Sequence, residues 1–331
     1  MEDLKAWVAS CMRSPALDDA VVETLERNLV PEPDDVKART QLVVHYWRFQ
    51  LNRHGRVRLA DAQLADARLA EHSLWFIEHR PDLDLSPLHP LMFERSFPEG
   101  CYERARLAWL AAVDRYPQRW SVLVNASNFF VVQDTDLAID LTRRCLALDR
   151  DVFQWHERLA WLLMLGSDHN EGAFVERARD AARELVIAIG LTTDAWKRLH
   201  LQVDLANAYF IAGDHERAQQ TAQSLLESAD ADDALGVEVE RHHHANIVLG
   251  RVALEAGDVV EAKARLQAAV VHPGRLRRRP DAKLAKELIR RGEDRAAFEY
   301  LDATRRLGWS VVELSGWVAR QRGSMLRVVP D

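Results

Sequence analysis

The sequence predicts an all-α fold, a solenoid of repeated helical hairpins. Two observations carry that prediction. Three times a Gly-acid pair is followed, five residues after its Gly, by an Ala: Gly213-Asp214 with Ala218, Gly257-Asp258 with Ala262, and Gly292-Glu293 with Ala297. Seven residues before each Gly stands another small residue, Ala206, Gly250 or Ala285. A fixed register of small residues around a turn marks one hairpin copied along a chain. The second observation is proline placement. None occurs between Pro117 and Pro273, and a helix interior loses about 3 kcal/mol or more to a Pro.

The elements follow in order. Residues 1–30 read as two short capping helices, around Leu4–Met12 and Leu17–Leu29, and a longer helix follows across Val36–Asn52. Ala70, Leu74 and Ile77 share one helical face that ends before Pro81, and Ala105, Trp109 and Ala112 form another that ends at Pro117. Asn125, Ala126 and Phe129 fit a first helix, Asp134-Thr135 a turn, and Ala138 and Cys145 the returning helix. Residues 155–188 give a hairpin with a longer turn, from Trp155, Leu159 and Ala160 to Ala178, Ala182 and Leu185. In residues 198–228, Leu201, Leu205, Ala208 and Ala212 form one stripe. Gly213 ends that helix as a left-handed cap residue, and Asp214 starts the next by accepting orphan N–H groups. Ala206 and Ala218, like Gly250 and Ala262, are expected to meet across the tight turn. Residues 310–321, with Val311, Val312, Leu314, Trp317 and Val318, read as a closing helix.

These residues resemble the tetratricopeptide repeat. The best matches are Leu205, Ala206, Tyr209, Ala218, Ala222 and Leu225; then Leu249, Gly250, Ala253, Ala262, Leu266 and Ala269; then Leu284, Ala285, Leu288, Ala297 and Leu301. The resemblance implies about seven antiparallel hairpins in a right-handed superhelix over residues 1–331. Capping helices would occupy 1–35, divergent repeats 36–117, clearer repeats 118–307, and a closing helix and tail 308–331. The second-helix anchors would be Ala70, Ala105, Ala138, Ala178, Ala218, Ala262 and Ala297.

Composition narrows the function classes. The chain has 331 residues, 48% hydrophobic and 29% charged, which suits a globular body with a large core. Three distant cysteines, Cys11, Cys101 and Cys145, form neither a disulfide framework nor a metal spacing. With no secretory pattern after Met1 and no membrane-length apolar run, the expectation is a soluble cytoplasmic protein. No phosphate loop, nucleophile elbow or zinc spacing occurs, so the expectation is no enzyme, no metal and no cofactor. His242-His243-His244 cannot chelate one ion together, because consecutive helical residues point about 100° apart. Glu176 and Asp180 are surrounded by Arg177, Arg179 and Arg183, which reads as a solvated face. The ten tryptophans read mostly as packing between hairpins, with a few as binding anchors.

Charge is uneven. Residues 272–327 hold fourteen Lys+Arg against seven Asp+Glu, whereas residues 1–271 carry −13 of the net −7. The sharpest run is Arg275-Leu276-Arg277-Arg278-Arg279. Lys283, Lys286 and Arg290 follow Arg279 at i+4, i+7 and i+11, so all four are expected to share one stripe. The resemblance implies that first-helix positions line a concave groove. Those slots hold Arg279, Lys283, Lys286 and Arg290, then His244, Ile247 and Arg251, then His200, Val203, Asn207 and Phe210. Asn207, Arg251 and Lys286 occupy the same slot in three successive repeats. The expected function is a non-catalytic scaffold that binds a protein or peptide of acidic character through His200, Asn207, Phe210, His244, Arg251, Arg279, Lys283, Lys286 and Arg290. The alternatives are nucleic-acid or phosphate binding by the basic 272–327 end, and an accessory subunit or peptide-sensing regulator.

Overall fold

The computed structural model describes residues 2–52, 59–83, 100–165, 171–227, 237–272, 274, 276 and 278–309. Among these residues it holds fifteen helices and no strand, so the all-α solenoid of helical hairpins predicted from sequence is the fold observed. The expected closing helix over 310–321 lies outside the described residues, as do Arg275 and Arg277. The chain divides into two compact units, residues 1–150 and 151–331.

The first unit contains α1 (Glu2–Arg13), α2 (Asp19–Asn28), α3 (Val36–Asn52), α4 (Leu59–His79), α5 (Cys101–Arg115), α6 (Trp120–Phe130) and α7 (Thr135–Leu148). Helix α3 is the hub, and its sequence shows why. Leu42, Val43 and Val44 are consecutive apolar residues, so they point to three sides of the helix. Leu42 packs with Val22 and Leu29 of the α2 region, Val43 with Leu69 and Phe76 of α4, and Val44 with Val8 and Cys11 of α1. Arg48 of α3 donates to the carbonyls of Met12 and Ser14, satisfying the orphan end of α1. A buried polar chain completes the join. Arg39 donates to His72 Nδ1 at 3.2 Å, His72 Nε2 donates to Glu26 at 3.1 Å, and the Tyr46 hydroxyl donates to the same carboxylate at 2.7 Å. In α6 the buried Asn125 amide donates to the Pro81 and Leu83 carbonyls, which fixes the irregular chain after α4 against the next hairpin. Asp134 caps α7 through the Leu137 N–H, as its place at the turn predicts.

The second unit contains α8 (Phe153–Met164), α9 (Glu171–Leu191), α10 (Ala195–Ile211), α11 (His215–Glu227), α12 (Val237–Glu255), α13 (Val259–Ala268), α14 (Lys283–Arg290) and α15 (Asp294–Arg306). They pair in sequence as four hairpins, with α12 packed against α10 on one side and α14 on the other. Val248 and Leu249 of α12 belong to the core shared with α10 and α11, whereas Ile247 and Leu254 belong to the core shared with α13, α14 and α15. Like α3, α12 is therefore apolar on more than one side.

The small-residue register has the expected packing cause. All seven anchor alanines are buried. A side chain at Gly250 would place its Cβ 3.3 Å from the Ala262 carbonyl oxygen, 3.0 Å from Arg265 Cβ and 2.3 Å from Leu284 Cδ2. Thus Gly250 admits both its hairpin partner and the first helix of the next repeat. Gly213, Gly257 and Gly292 have φ of 77°, 84° and 83°. In each case the following N–H bonds the carbonyl five residues back, from Asp214 to Tyr209, Asp258 to Ala253 and Glu293 to Leu288, which closes a Schellman cap. A fourth copy ends α15, where Gly308 has φ 72° and the Trp309 N–H bonds Thr304. Asp214 and Asp258 then cap the next helices through Arg217 and Glu261. Glu293 does not: its longer side chain reaches Lys263 on the neighbouring repeat at 2.9 Å.

Candidate functional site

Five of the slots named from sequence fall into two groups. Asn207, Phe210 and Arg251 come together. The Arg251 guanidinium lies 4.0 Å from the Phe210 ring centre and donates to the Asn207 side-chain oxygen at 3.4 Å. Arg251 is nevertheless buried and paired, with its Nε bonding both Glu287 oxygens at 2.9 and 3.0 Å. Its charge therefore joins α12 to α14. Periodicity picks out Arg251 but gives no weight to Glu287, which stands one position after Lys286.

His200 and His244 flank a second polar network. Glu240, fully buried on α12, accepts from His244 Nε2 at 3.2 Å and from the Arg278 backbone N–H at 3.0 Å. The Arg278 guanidinium donates to both oxygens of Asp204 on α10, at 2.8 and 3.2 Å. Burial and the nearby Arg278 push His200 down to about 4, and its Nε2 is buried with no hydrogen-bond partner among the described residues. Next to this network, His243 donates from Nδ1 to the Ala269 carbonyl and accepts at Nε2 from the Asp281 N–H. Burial, with His244 beside it, lowers His243 to about 4.

These bonds define a strap. The segment between α13 and α14 lies along α12, held through Arg278 and Asp281, through the Tyr300 hydroxyl bonding the Asp281 carbonyl, and through Trp309 Nε1 bonding the Gly274 carbonyl. Within the most basic run of the sequence, the Arg278 side chain is thus turned toward α10. The expected four-residue stripe is also corrected. Helix α14 begins at Lys283, so Arg279 precedes it and does not share its periodicity. Arg279, Lys283 and Arg290 are exposed, and Lys286 is half-buried.

A cavity of about 810 Å³ opens between α8, α9 and α10 and reaches Arg278 and Lys283. Its apolar wall comes from α8. Trp161 and Leu165 stand four residues apart on one face and remain 46% and 41% exposed. Phe174 of α9 and Ile211 of α10 continue that wall. The polar wall carries Glu157, Arg158, Asp204, Asn207, Arg278 and Lys283. The lining holds three basic side chains, Arg158, Arg278 and Lys283, against two acidic ones; Asp204 pairs with Arg278, and Glu157 with Lys197 at 3.2 Å. Lys283 stands at the rim, 3.4 Å from Asp281. Of the slots named from sequence, Asn207 and Lys283 line the cavity. Trp161 could have been singled out as an apolar residue beside Arg158 on a helix face, but its exposure is invisible in a run as apolar as Leu159–Leu165.

The repeated hairpins define a tetratricopeptide-like helical repeat fold. No protein-family model matches the chain, and no curated protein matches it. Solved structures with similar helical arrays include the type IV pilus biogenesis factor PilW, 16% identical at a TM-score of 0.41 over 66% of this chain and 91% of that one. Pseudomonas aeruginosa PilF is 14% identical at 0.40, over 76% of this chain and 99% of that one. A tetratricopeptide repeat protein from Parabacteroides merdae is 14% identical at 0.39, over 86% and 91%. Among the described residues, no helix is long and apolar enough to cross a membrane.

Proposed function

We propose that this protein is a non-catalytic interaction scaffold that seats a segment of a partner polypeptide in the cavity between α8, α9 and α10. The observation that carries the reading is the cavity lining, in which Trp161 and Leu165 are left exposed opposite a cationic polar wall. Exposed apolar clusters rimmed by polar groups mark interaction surfaces, and Trp and Arg are favoured where binding energy concentrates. The volume of about 810 Å³ fits a few side chains of an extended segment. The matching segment carries a bulky apolar side chain beside a carboxylate, the first against Trp161 and the second near Arg158 and Lys283. Asn207 contributes amide hydrogen bonding at the floor. His200, Phe210, His244 and Arg251 shape that floor from behind, and Arg279, Lys286 and Arg290 extend the basic rim.

The test is selection of random displayed peptides on the full chain, followed by titration of the enriched peptides against wild type, W161A and K283E. Peptides pairing an apolar residue with Asp or Glu are expected. Their affinity should fall about 30-fold in W161A, the ~2 kcal/mol typical of a binding hot spot, and more modestly in K283E. Equal binding to all three proteins, or no enrichment, sinks the reading.

A further inference from the structure

Outside the groove, one cluster of metal-ligating side chains stands unused. Glu238 and His242 lie four residues apart near the start of α12, and His272 comes from the segment that follows α13. One ligand atom from each lies within 4.8 Å of the others. The Glu238 oxygen is 3.9 Å from His242 Nε2 and 3.5 Å from His272 Nδ1. The two imidazole rings stack with centres 3.8 Å apart.

We propose that Glu238, His242 and His272 form a binding site for a divalent transition metal of the Zn²⁺ class. The i, i+4 spacing places a carboxylate and an imidazole on the same helical face, which is a chelating arrangement. Their separations exceed those of a good hydrogen bond, about 2.7–3.2 Å. They approach the roughly 3.3 Å expected between ligand atoms around a tetrahedral ion bound at about 2.0–2.1 Å. Two imidazoles and one carboxylate are a donor set that suits Zn²⁺ and its borderline neighbours over Ca²⁺ or Mg²⁺. All three side chains are half-exposed, so an ion can enter and a water can complete the tetrahedron.

The third ligand is preorganised from outside the cluster. Two residues beyond His272, the Gly274 carbonyl accepts from Trp309 Nε1 at 2.8 Å. Gly274 also lies so close to Val239 that a Cβ there would be 2.5 Å from its side chain. His272 is thereby held against the first turn of α12 by contacts that need no metal. An ion in this site would link α12 covalently to the start of the strap that carries Arg278 and Asp281, adding a coordinate staple to the hydrogen bonds already present. Sequence spacing hid the site. The histidine triplet draws attention to His243 and His244, which face inward, whereas the chelating partners of His242 are Glu238 and the distant His272.

The experiment uses the full, tag-free chain and Co²⁺ as the spectroscopic probe, with Zn²⁺ as competitor. One equivalent of Co²⁺ should give a saturable ligand-field absorption that Zn²⁺ displaces. H272A, H242Q and E238Q should each weaken binding roughly tenfold or more, since even second-shell changes cost 10–100-fold. Zn²⁺ should raise the thermal unfolding midpoint of wild type and leave that of H272A unchanged, because only a ligand of the folded state stabilises it. Circular dichroism establishes that the variants fold, and each of them replaces a half-exposed side chain. No saturable Co²⁺ signal, or binding that survives H272A and H242Q alike, overturns the proposal.

Discussion

Arg278 grips Asp204 with a two-pronged pair of bonds, 2.8 and 3.2 Å long, although three complete helices, α11, α12 and α13, separate the two residues in sequence. The pair ties the segment between α13 and α14 to α10. Both side chains keep more than a third of their surface exposed, 36% and 44%, so the interaction sits in the range of solvent-screened ion pairs. A double-mutant cycle of R278A and D204N in urea should give a coupling energy of about 1 kcal/mol, the upper end for exposed pairs because the geometry is bidentate. The coupling should shrink in high salt. A value near zero at low salt would show that the strap is held by its backbone bonds alone.

Glu240 presents the opposite case, a carboxylate with no exposure at all. It accepts the Arg278 N–H and pairs with His244. Removing it leaves buried donors unsatisfied. E240A should cost about 3 kcal/mol, at the low end for breaking a buried pair, whereas E240Q should cost less because its amide oxygen still accepts one bond. Equal destabilisation by both substitutions, measured by denaturant unfolding, would place the whole effect in the carboxylate's charge, since Gln keeps the side-chain volume and one acceptor oxygen.

How much of this was legible in the sequence depends on the range of the interaction. The turn glycines, the caps at Asp134, Asp214 and Asp258, and the Ala and Gly contacts are set by residues within one hairpin, so spacing reveals them. The helix limits of α3 follow in the same way, from an apolar pattern bounded by Pro33 and by the polar residues after Asn52. Arg251 with Glu287, Arg278 with Asp204, and Trp309 with Gly274 join different repeats. Their partners are fixed by the stacking of hairpins, which no local pattern encodes. The same reason explains why a count of basic residues over 272–327 does not show where each charge points: the Arg278 guanidinium is drawn to Asp204 on α10.

His200 makes stability depend on pH with a definite sign. Burial first, then the neighbouring Arg278, depress it to about 4, against attraction from Glu240 on α12 and Asp204 on its own helix. The folded state therefore leaves His200 neutral where an unfolded chain takes up a proton, below its ordinary value of about 6.5. The unfolded state binds more protons between these values, so this contribution to stability is full above about pH 6.5 and is lost as pH falls toward 4. H200Q cannot take up that proton. Its stability relative to wild type should therefore rise steadily on acidification across this window, as read from urea midpoints. A difference that stays constant with pH would show that His200 titrates alike in both states.

Gly250 sets how closely consecutive repeats approach. A mid-helix Gly normally gains about 1 kcal/mol when replaced by Ala. Here the added Cβ would lie 2.3 Å from Leu284 Cδ2 and 3.0 Å from Arg265 Cβ. Leu284 is fully buried among Ile247, Leu254 and Ala285, so it has little room to turn aside. Overpacking of this kind costs about 1–3 kcal/mol, which outweighs the helix gain, and G250A should destabilise by up to about 2 kcal/mol. L284A alone should cost about 2–5 kcal/mol through the cavity it leaves. Combining the two should bring partial recovery, because the new methyl group enters the space Leu284 vacates and the helix-propensity gain is released. The double mutant should then be no less stable than L284A, a non-additivity of at least the G250A cost. Strict additivity in denaturant unfolding would mean that Gly250 and Leu284 do not compete for one space, and that the small residue in this slot has another cause.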